Sequence, residues 1–90
     1  MNRNNLELKQ QFKDKIILIT GGTGSIGHGI IKQLINFEPK QIRVFTNDEN
    51  SLVEIKEYLG NNKIFQFMVG DVRDRDRLNL AIRNVDIVFH

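Results

Sequence analysis

A run of four aliphatic residues, Ile16 to Ile19, passes directly into a glycine-rich segment, Thr20 to Gly27. An uninterrupted apolar run of this length is typical of a strand that is buried on both faces, as in parallel sheets. Beyond the glycines, apolar residues recur at helical spacing, and we expect a helix that ends near Asn36. The sequence therefore predicts a strand, a tight turn and a helix in direct succession.

Strands and helices continue to alternate along the rest of the chain. The predicted elements are strands at 42–45, 64–69 and 86–90 and helices at 51–60 and 74–83. Ser51 and Glu54 have the spacing of a capping box, and Gly60 is a typical helix terminator. Alternation of this kind implies parallel strands that are joined by right-handed crossovers.

This order predicts an α/β fold, the N-terminal half of a Rossmann-type doubly wound parallel sheet, with three helices and four strands in the order 3-2-1-4. The first two helices would cover one face, the third helix would cover the other, and the fourth strand would form an open apolar edge. Residues 1–14 are mostly polar, so we treat them as a separate segment in which Leu8 and Phe12 allow a short amphipathic helix at most. Residues 15–90 form the predicted half-domain.

The composition excludes several classes of function. Thirteen basic and eleven acidic residues leave a net charge of +2, too small to drive binding to nucleic acid or an anionic membrane. The absence of cysteine excludes a disulfide framework, a thiolate metal site and a cysteine nucleophile. No apolar run approaches the roughly 18 residues of a membrane span, and residues 1–10 lack the apolar stretch of a signal peptide. We therefore expect a soluble, cytoplasmic protein.

The glycine-rich segment is the strongest functional signal in the sequence. Gly22, Gly24 and Gly27 have the dinucleotide-binding spacing, in which a missing side chain lets the backbone approach a pyrophosphate. The amides that open the following helix would face that anion. A tight turn without a ligand is the alternative, and a P-loop is not supported because no Gly-Lys-Ser/Thr follows. The predicted cofactor-binding residues of this loop are Gly21, Thr23, Gly24, Ser25, Ile26 and Gly27.

Polar residues that follow the second predicted strand bear on the choice of cofactor. Thr46, Asn47 and Asp48 lie where the adenosine ribose is usually bound. An acidic group there favours NAD, whereas a basic group admits the 2′-phosphate of NADP. Asp48 can equally belong to the acidic start of a helix. The cofactor is therefore predicted as NAD or NADP.

Asp71 and Val72 follow the third predicted strand at the same edge of the sheet. Asp71 can accept a hydrogen bond from an adenine amine, or it can cap the helix that starts near Asp74. The alternating charges of Arg73 to Arg77 are typical of a solvated helix start rather than of a nucleic-acid contact. The two histidines have no partners at metal-ligand spacing, so we predict no metal site.

Three segments, Thr20–Gly27, Gly70–Asp74 and Val85–His90, resemble the extended short-chain dehydrogenase/reductase superfamily. More narrowly, they resemble the N-terminal part of its polysaccharide-biosynthesis branch, the UDP-N-acetylhexosamine 4,6-dehydratases and epimerases. The resemblance covers roughly residues 12–90 and implies that bound NAD or NADP oxidises C4 of a hexose, that water leaves across C5 and C6, and that the hydride returns. In that branch an arginine that holds the 2′-phosphate commonly matches Asn47, so this chain departs from the NADP pattern.

The family's catalytic pair, Tyr-x-x-x-Lys, lies beyond the fourth strand. The single tyrosine here, Tyr58, is followed four residues later by Asn62, so we assign no catalytic residue. A complete protein of this branch would bind a UDP-sugar as well, and we expect a homo-oligomer. Two alternatives stay open at this point, a stand-alone dinucleotide-binding module and a truncated remnant without catalysis.

Overall fold

The computed structural model describes residues 3–21 and 25–89, with side chains for 6–21 and 29–89. Helices and strands alternate after a first helix, as the sequence predicts. The elements are α1 (Arg3–Phe12), β1 (Ile16–Thr20), α2 (Ser25–Ile35), β2 (Gln41–Thr46), α3 (Glu49–Leu59), β3 (Phe65–Val69), α4 (Arg75–Ile82) and β4 (Ile87–Phe89). None of the helices described is long and apolar enough to cross a membrane.

The four strands form one parallel sheet in the order β3-β2-β1-β4, which confirms the predicted fold class and strand order. Thr20 is level with Phe45, and Thr46 is level with Val69. The backbone pairing continues past the strand ends, since the Gly70 amide donates to the Thr46 carbonyl at 2.9 Å. The carboxyl ends of β1, β2 and β3 are therefore aligned along one edge of the sheet.

The sheet has an apolar core on each face. On one face, Ile31 and Leu34 of α2 and Leu52 and Ile55 of α3 pack on the strands. The core of the opposite face is smaller and consists of Leu18, Phe45 and Ala81, with Met68, Leu78 and Val85 partly buried around it. This confirms the expected coverage, two helices on one face and α4 on the other. Of the four strands described, β4 pairs only with β1 and so lies at an edge of the sheet, and its Val88 side chain is 51% exposed.

Residues 15–90 contain the three predicted helices, and residues 3–12 form a further helix, α1, in the segment where the sequence allows a short amphipathic helix at most. Phe12, at the end of α1, stacks on Phe37 with ring centroids 5.7 Å apart and also contacts Phe89 at 6.0 Å. Lys9 forms an ion pair with Glu38 at 3.1 Å. The sequence shows the spacing of Leu8 and Phe12, but it does not show that Phe12 contacts Phe37 and Phe89, which are distant in the sequence. Short helices are marginally stable alone, and these tertiary contacts stabilise α1.

The helix caps differ from the prediction at one position. Ser51 does not cap α3, because the Asp48 carboxylate accepts hydrogen bonds from the Ser51 amide at 3.1 Å and from its hydroxyl at 2.6 Å. The cap of α3 therefore lies three residues earlier in the sequence than predicted. Gly60 does end α3, with its N–H bonded to the Lys56 carbonyl and a φ of +67° that suits glycine.

Candidate functional site

The aligned ends of β1, β2 and β3 surround a cavity of about 180 Å³. This is less than the roughly 300–1,000 Å³ of a typical pocket for a drug-sized ligand, so the cavity suits only part of a dinucleotide. Each strand contributes the residues that follow or close it. The lining residues are Thr20, Gly21, Phe45, Thr46, Asn47, Gly70, Asp71 and Val72.

Phe45 and Gly70 form the floor of this cavity. The Phe45 ring is fully buried between the sheet and α4. A Cβ atom on Gly70 would lie 2.7 Å from Cε2 and Cζ of that ring, a distance that non-bonded carbon atoms do not tolerate. Glycine at this position therefore lets the chain leave β3 directly over the aromatic ring.

The end of β2 places Thr46, Asn47 and Asp48 in three different environments. Thr46 is buried, with 4% of its surface exposed, and its hydroxyl accepts a hydrogen bond from the Asp48 amide at 3.1 Å. Asn47 is exposed and lines the cavity. The Asp48 carboxylate caps α3, and the hydrogen bond from the Ser51 hydroxyl lowers its pKa below the ordinary value. For Asp48, the capping role is the one that the geometry supports.

Asp71 and Val72 lie on the rim of the cavity, after β3. The Asp71 carboxylate accepts hydrogen bonds from the Arg73 amide at 2.9 Å and from Nη2 of the Arg73 guanidinium at 2.7 Å. This side-chain hydrogen bond lowers the pKa of Asp71 to about 2. The alternative in which Asp71 caps α4 was wrong, because Asp74 is the N-cap and accepts from the Arg77 amide at 3.3 Å.

The glycine loop joins β1 to α2 at the same edge. Gly21 has a φ of +65°, which glycine adopts without strain, and its amide donates to the Phe45 carbonyl at 2.9 Å. Thr23 and Gly24 lie outside the described residues. Ser25 is the first residue of α2, and Ile26 and Gly27 follow it in the helix. The first N–H groups of a helix have no partners within it.

Sequence reasoning missed two contacts of this region. Arg73 pairs with Asp71, although its place in an alternating charge run suggests only a solvated surface. Arg77 of α4 donates from Nη2 to the Val69 carbonyl, at the end of β3. The D-x-R spacing of Asp71 and Arg73 was the available signal. Within the described part of the chain, no three His, Cys, Asp or Glu side chains group as a metal site.

Comparison with protein families gives one match over most of the chain. The family model described as "Polysaccharide biosynthesis protein" matches residues 17–90. That range begins within β1 and contains every residue that lines the cavity.

Curated relatives from three organisms align over most of the chain. A Methanocaldococcus jannaschii protein named an uncharacterized membrane protein is 52% identical over 84 residues, 93% of this chain and 25% of that protein. The UDP-N-acetylglucosamine 4,6-dehydratase (inverting) of Campylobacter jejuni is 42% identical over 80 residues. The UDP-glucose 4-epimerase of Rickettsia bellii is 40% identical over 83 residues. Each of these two alignments covers 88% of this chain and 24% of the relative. The chain thus spans about a quarter of the length of these relatives.

Solved structures share the fold. Pen from Bacillus thuringiensis superposes with a TM-score of 0.82 at 40% identity, over 88% of this chain and 24% of that protein. The Bordetella bronchiseptica enzyme WbmF, solved in complex with NAD+ and UDP, superposes with a TM-score of 0.70 at 22% identity, over 89% of this chain and 23% of that enzyme.

Proposed function

Because this chain belongs to the polysaccharide biosynthesis protein family, we propose that it binds the adenosine diphosphate portion of NAD or NADP at the carboxyl edge of its sheet. The observation that carries the proposal is the convergence of three strand ends on one cavity. Thr20 and Gly21, Thr46 and Asn47, and Asp71 and Val72 line it together. In doubly wound sheets, this edge is the usual place for a nucleotide.

The residues present suit the chemistry of such a cofactor. A carboxylate and a half-exposed aliphatic residue, Asp71 and Val72, would hold the adenine, with the carboxylate accepting from its amine. Asn47 would meet the ribose, and Asp48 would act there indirectly, as the cap that fixes the start of α3. The loop from Gly21 to the amino end of α2 would bind the pyrophosphate through backbone N–H groups. Within that loop we assign the same role to Thr23, Gly24, Ser25, Ile26 and Gly27.

The wider proposal is that this chain is the cofactor-binding part of a sugar-nucleotide dehydratase or epimerase. Its relatives from Campylobacter and Rickettsia bear those names, and the fold neighbour WbmF was solved with NAD+ and UDP. The cofactor, when bound, would take a hydride from the sugar and return it. This chain's own residues would bind and orient the adenosine end, at a distance from that step.

Isothermal titration calorimetry with NAD and with ADP-ribose tests the binding proposal. Gly24→Val should abolish binding, since a branched side chain would exclude the pyrophosphate from the loop. The matched control is Gly29→Val in α2, where an added Cβ meets no atom within 4 Å. Binding that survives Gly24→Val as well as it survives Gly29→Val would contradict the proposal. The proposal of a dehydratase or epimerase requires a Tyr-x-x-x-Lys pair in the same polypeptide. Sequencing the DNA downstream of the His90 codon tests whether that pair is encoded.

A further inference from the structure

The guanidinium of Arg73 lies against the Asp71 carboxylate on the rim of the cavity. Nε is 3.1 Å from Oδ1 and 3.2 Å from Oδ2, and Nη2 is 2.7 Å from Oδ2. The Arg73 amide adds a fourth contact, to Oδ1 at 2.9 Å. The arginine side chain is 87% exposed, whereas that of Asp71 is 32% exposed. Arg73 therefore covers, with a largely exposed side chain, the carboxylate of a residue that lines the cavity.

This contact fixes the chemical character of Asp71. A carboxylate held by a forked guanidinium has a defined plane. The N–H groups of the Arg73 amide, Nε and Nη2 occupy three of the roughly four lone-pair sites of the two oxygens, so about one acceptor site remains for a ligand. An ionised carboxylate accepts hydrogen bonds and donates none. A group presented in this way suits a ligand that offers an N–H donor, and it repels a ligand that offers a carbonyl oxygen.

We propose that Arg73 is a positioning residue that holds Asp71 as an oriented, acceptor-only group, so that the cavity selects a purine with an exocyclic amine over one with a carbonyl at the same position. The inference rests on the proposed function, since it assumes that adenine lies beside Asp71. It adds a residue outside the cavity lining and a defined selectivity, that of adenine over hypoxanthine.

The charged groups around Asp71 agree with this role. Arg77, on α4, directs its guanidinium to the Val69 carbonyl, two residues before Asp71. The Asp74 amide donates to the Asp71 carbonyl at 2.9 Å, and its carboxylate caps α4. The described lining residues from β1 and β2 and their following turns are neutral. The hydrogen bond from the Arg73 side chain lowers the pKa of the Asp71 carboxyl to about 2, so Asp71 stays ionised at a lower pH than an ordinary aspartate does.

The test compares the dissociation constants of NAD and nicotinamide hypoxanthine dinucleotide, which carries a carbonyl in place of the adenine amine. Calorimetry at pH 7.5 on the 90-residue chain should give a preference for NAD of about tenfold, the value of a hydrogen bond to a charged group. Arg73→Gln should reduce that preference by about threefold, in keeping with an exposed ion pair. The preference of Arg73→Lys for NAD should lie between those of wild type and Arg73→Gln, because lysine keeps the positive charge but cannot form the two-pronged guanidinium contact. Arg75→Gln, which removes the same charge from the first residue of α4, should leave the preference unchanged.

A second set of titrations at pH 4 separates positioning from a merely structural role. Wild type should keep its preference, because Asp71 stays ionised. Arg73→Gln should lose more of it, since a free Asp71 would be about half protonated near its ordinary pKa of about 3.9 and could donate to the hypoxanthine carbonyl. Equal preferences in Arg73→Gln and wild type at both pH values would overturn the inference and leave the proposed function standing. Failure of wild type to bind NAD would instead overturn the proposed function.

Discussion

The backbone of Gly70 lies directly against the ring of Phe45, where a Cβ atom would come within 2.7 Å of Cε2 and Cζ. The ring cannot easily move away, because it is fully buried and packs with Leu18 and Ala81. This contact joins the end of β3 to the end of β2 beneath the cavity. A single methyl group added at Gly70 should therefore disturb the packing beneath the cavity.

Gly70→Ala should therefore lower the free energy of unfolding by about 1–3 kcal/mol, the usual cost of overpacking a core, and should weaken NAD binding as the ring shifts. Urea denaturation and calorimetry measure the two effects. The control is Gly29→Ala, which adds its methyl group in open space on a helix and should stabilise by up to about 1 kcal/mol. A Gly70→Ala variant as stable as wild type would show that the floor is not tightly packed.

Arg43 connects β2 to the end of α4. Its Nη1 donates to the Ala81 carbonyl at 2.9 Å and to the Arg83 carbonyl at 2.6 Å, groups that the helix leaves without partners. Arg43→Met should lower the free energy of unfolding by about 1–3 kcal/mol in a denaturant titration, because these charge-assisted hydrogen bonds are lost. Arg83→Met removes an equal charge but keeps the Arg83 carbonyl, and it should cost much less. Equal losses in the two variants would contradict the assignment.

The ion pair of Asp71 and Arg73 predicts a pH dependence of stability. The folded pKa of Asp71, about 2, lies below its ordinary value of about 3.9. The contribution is therefore fully present above pH 4 and is lost as the pH falls towards 2. NMR titration of the side-chain carboxyl carbons should place Asp71 near 2 in wild type and closer to its ordinary value in Arg73→Gln. An unchanged titration in Arg73→Gln would show that the guanidinium does not cause the shift.

The end of β2 predicts the preference between NAD and NADP. Asn47 is neutral and exposed, and the Asp48 carboxylate is engaged in capping α3. We expect no strong preference for NADP in the unmodified chain. Asn47→Arg should shift the ratio of dissociation constants towards NADP, because a guanidinium pairs a phosphate through two hydrogen bonds. Asn61→Arg, with the same charge beyond the other end of α3, should not. A large NADP preference in the unmodified chain would contradict the prediction.

The exposed edge of the sheet predicts self-association. Among the strands described, β4 pairs only with β1, and its Val88 is 51% exposed. Unpaired strand edges recruit other chains. Sedimentation velocity of the 90-residue chain at rising concentration should show association. Val88→Lys should reduce that association more than Gln66→Lys, which adds the same charge on the other edge strand, β3. A monomer at high concentration with a cooperative, high-temperature melt would contradict this.

The fold was predictable because its determinants are local. The run from Ile16 to Ile19 and the stripe of Leu52 and Ile55 each appear within a short window of sequence, and parallel order follows from alternation. The cap of α3 was predicted at the wrong residue, because Asp48 and Ser51 both have suitable side chains. The two are hydrogen-bonded to each other, and only the backbone geometry decides which one is the cap.

The site was predictable as a set of strand ends but not as a set of contacts. Alternation places Asn47 and Asp71 at one edge, and both line the cavity. Phe45 and Gly70 are 25 positions apart in the sequence. Their contact depends on the packing of Phe45 with α4, and no local sequence pattern predicts that packing. The assignment of Gly24 as a pyrophosphate-binding residue stays a prediction.

We propose that adenosine binds in the cavity at the carboxyl edge of the sheet. An NMR titration of the 15N-labelled chain with ADP-ribose tests it most directly, since it reports on each amide. We expect shifts at Gly21, Asn47, Gly70 and Val72, and none at Gln33 and Phe37, which line a separate apolar groove beside α1. Shifts confined to that groove, or saturable binding that leaves Gly70 and Val72 unmoved, would contradict it.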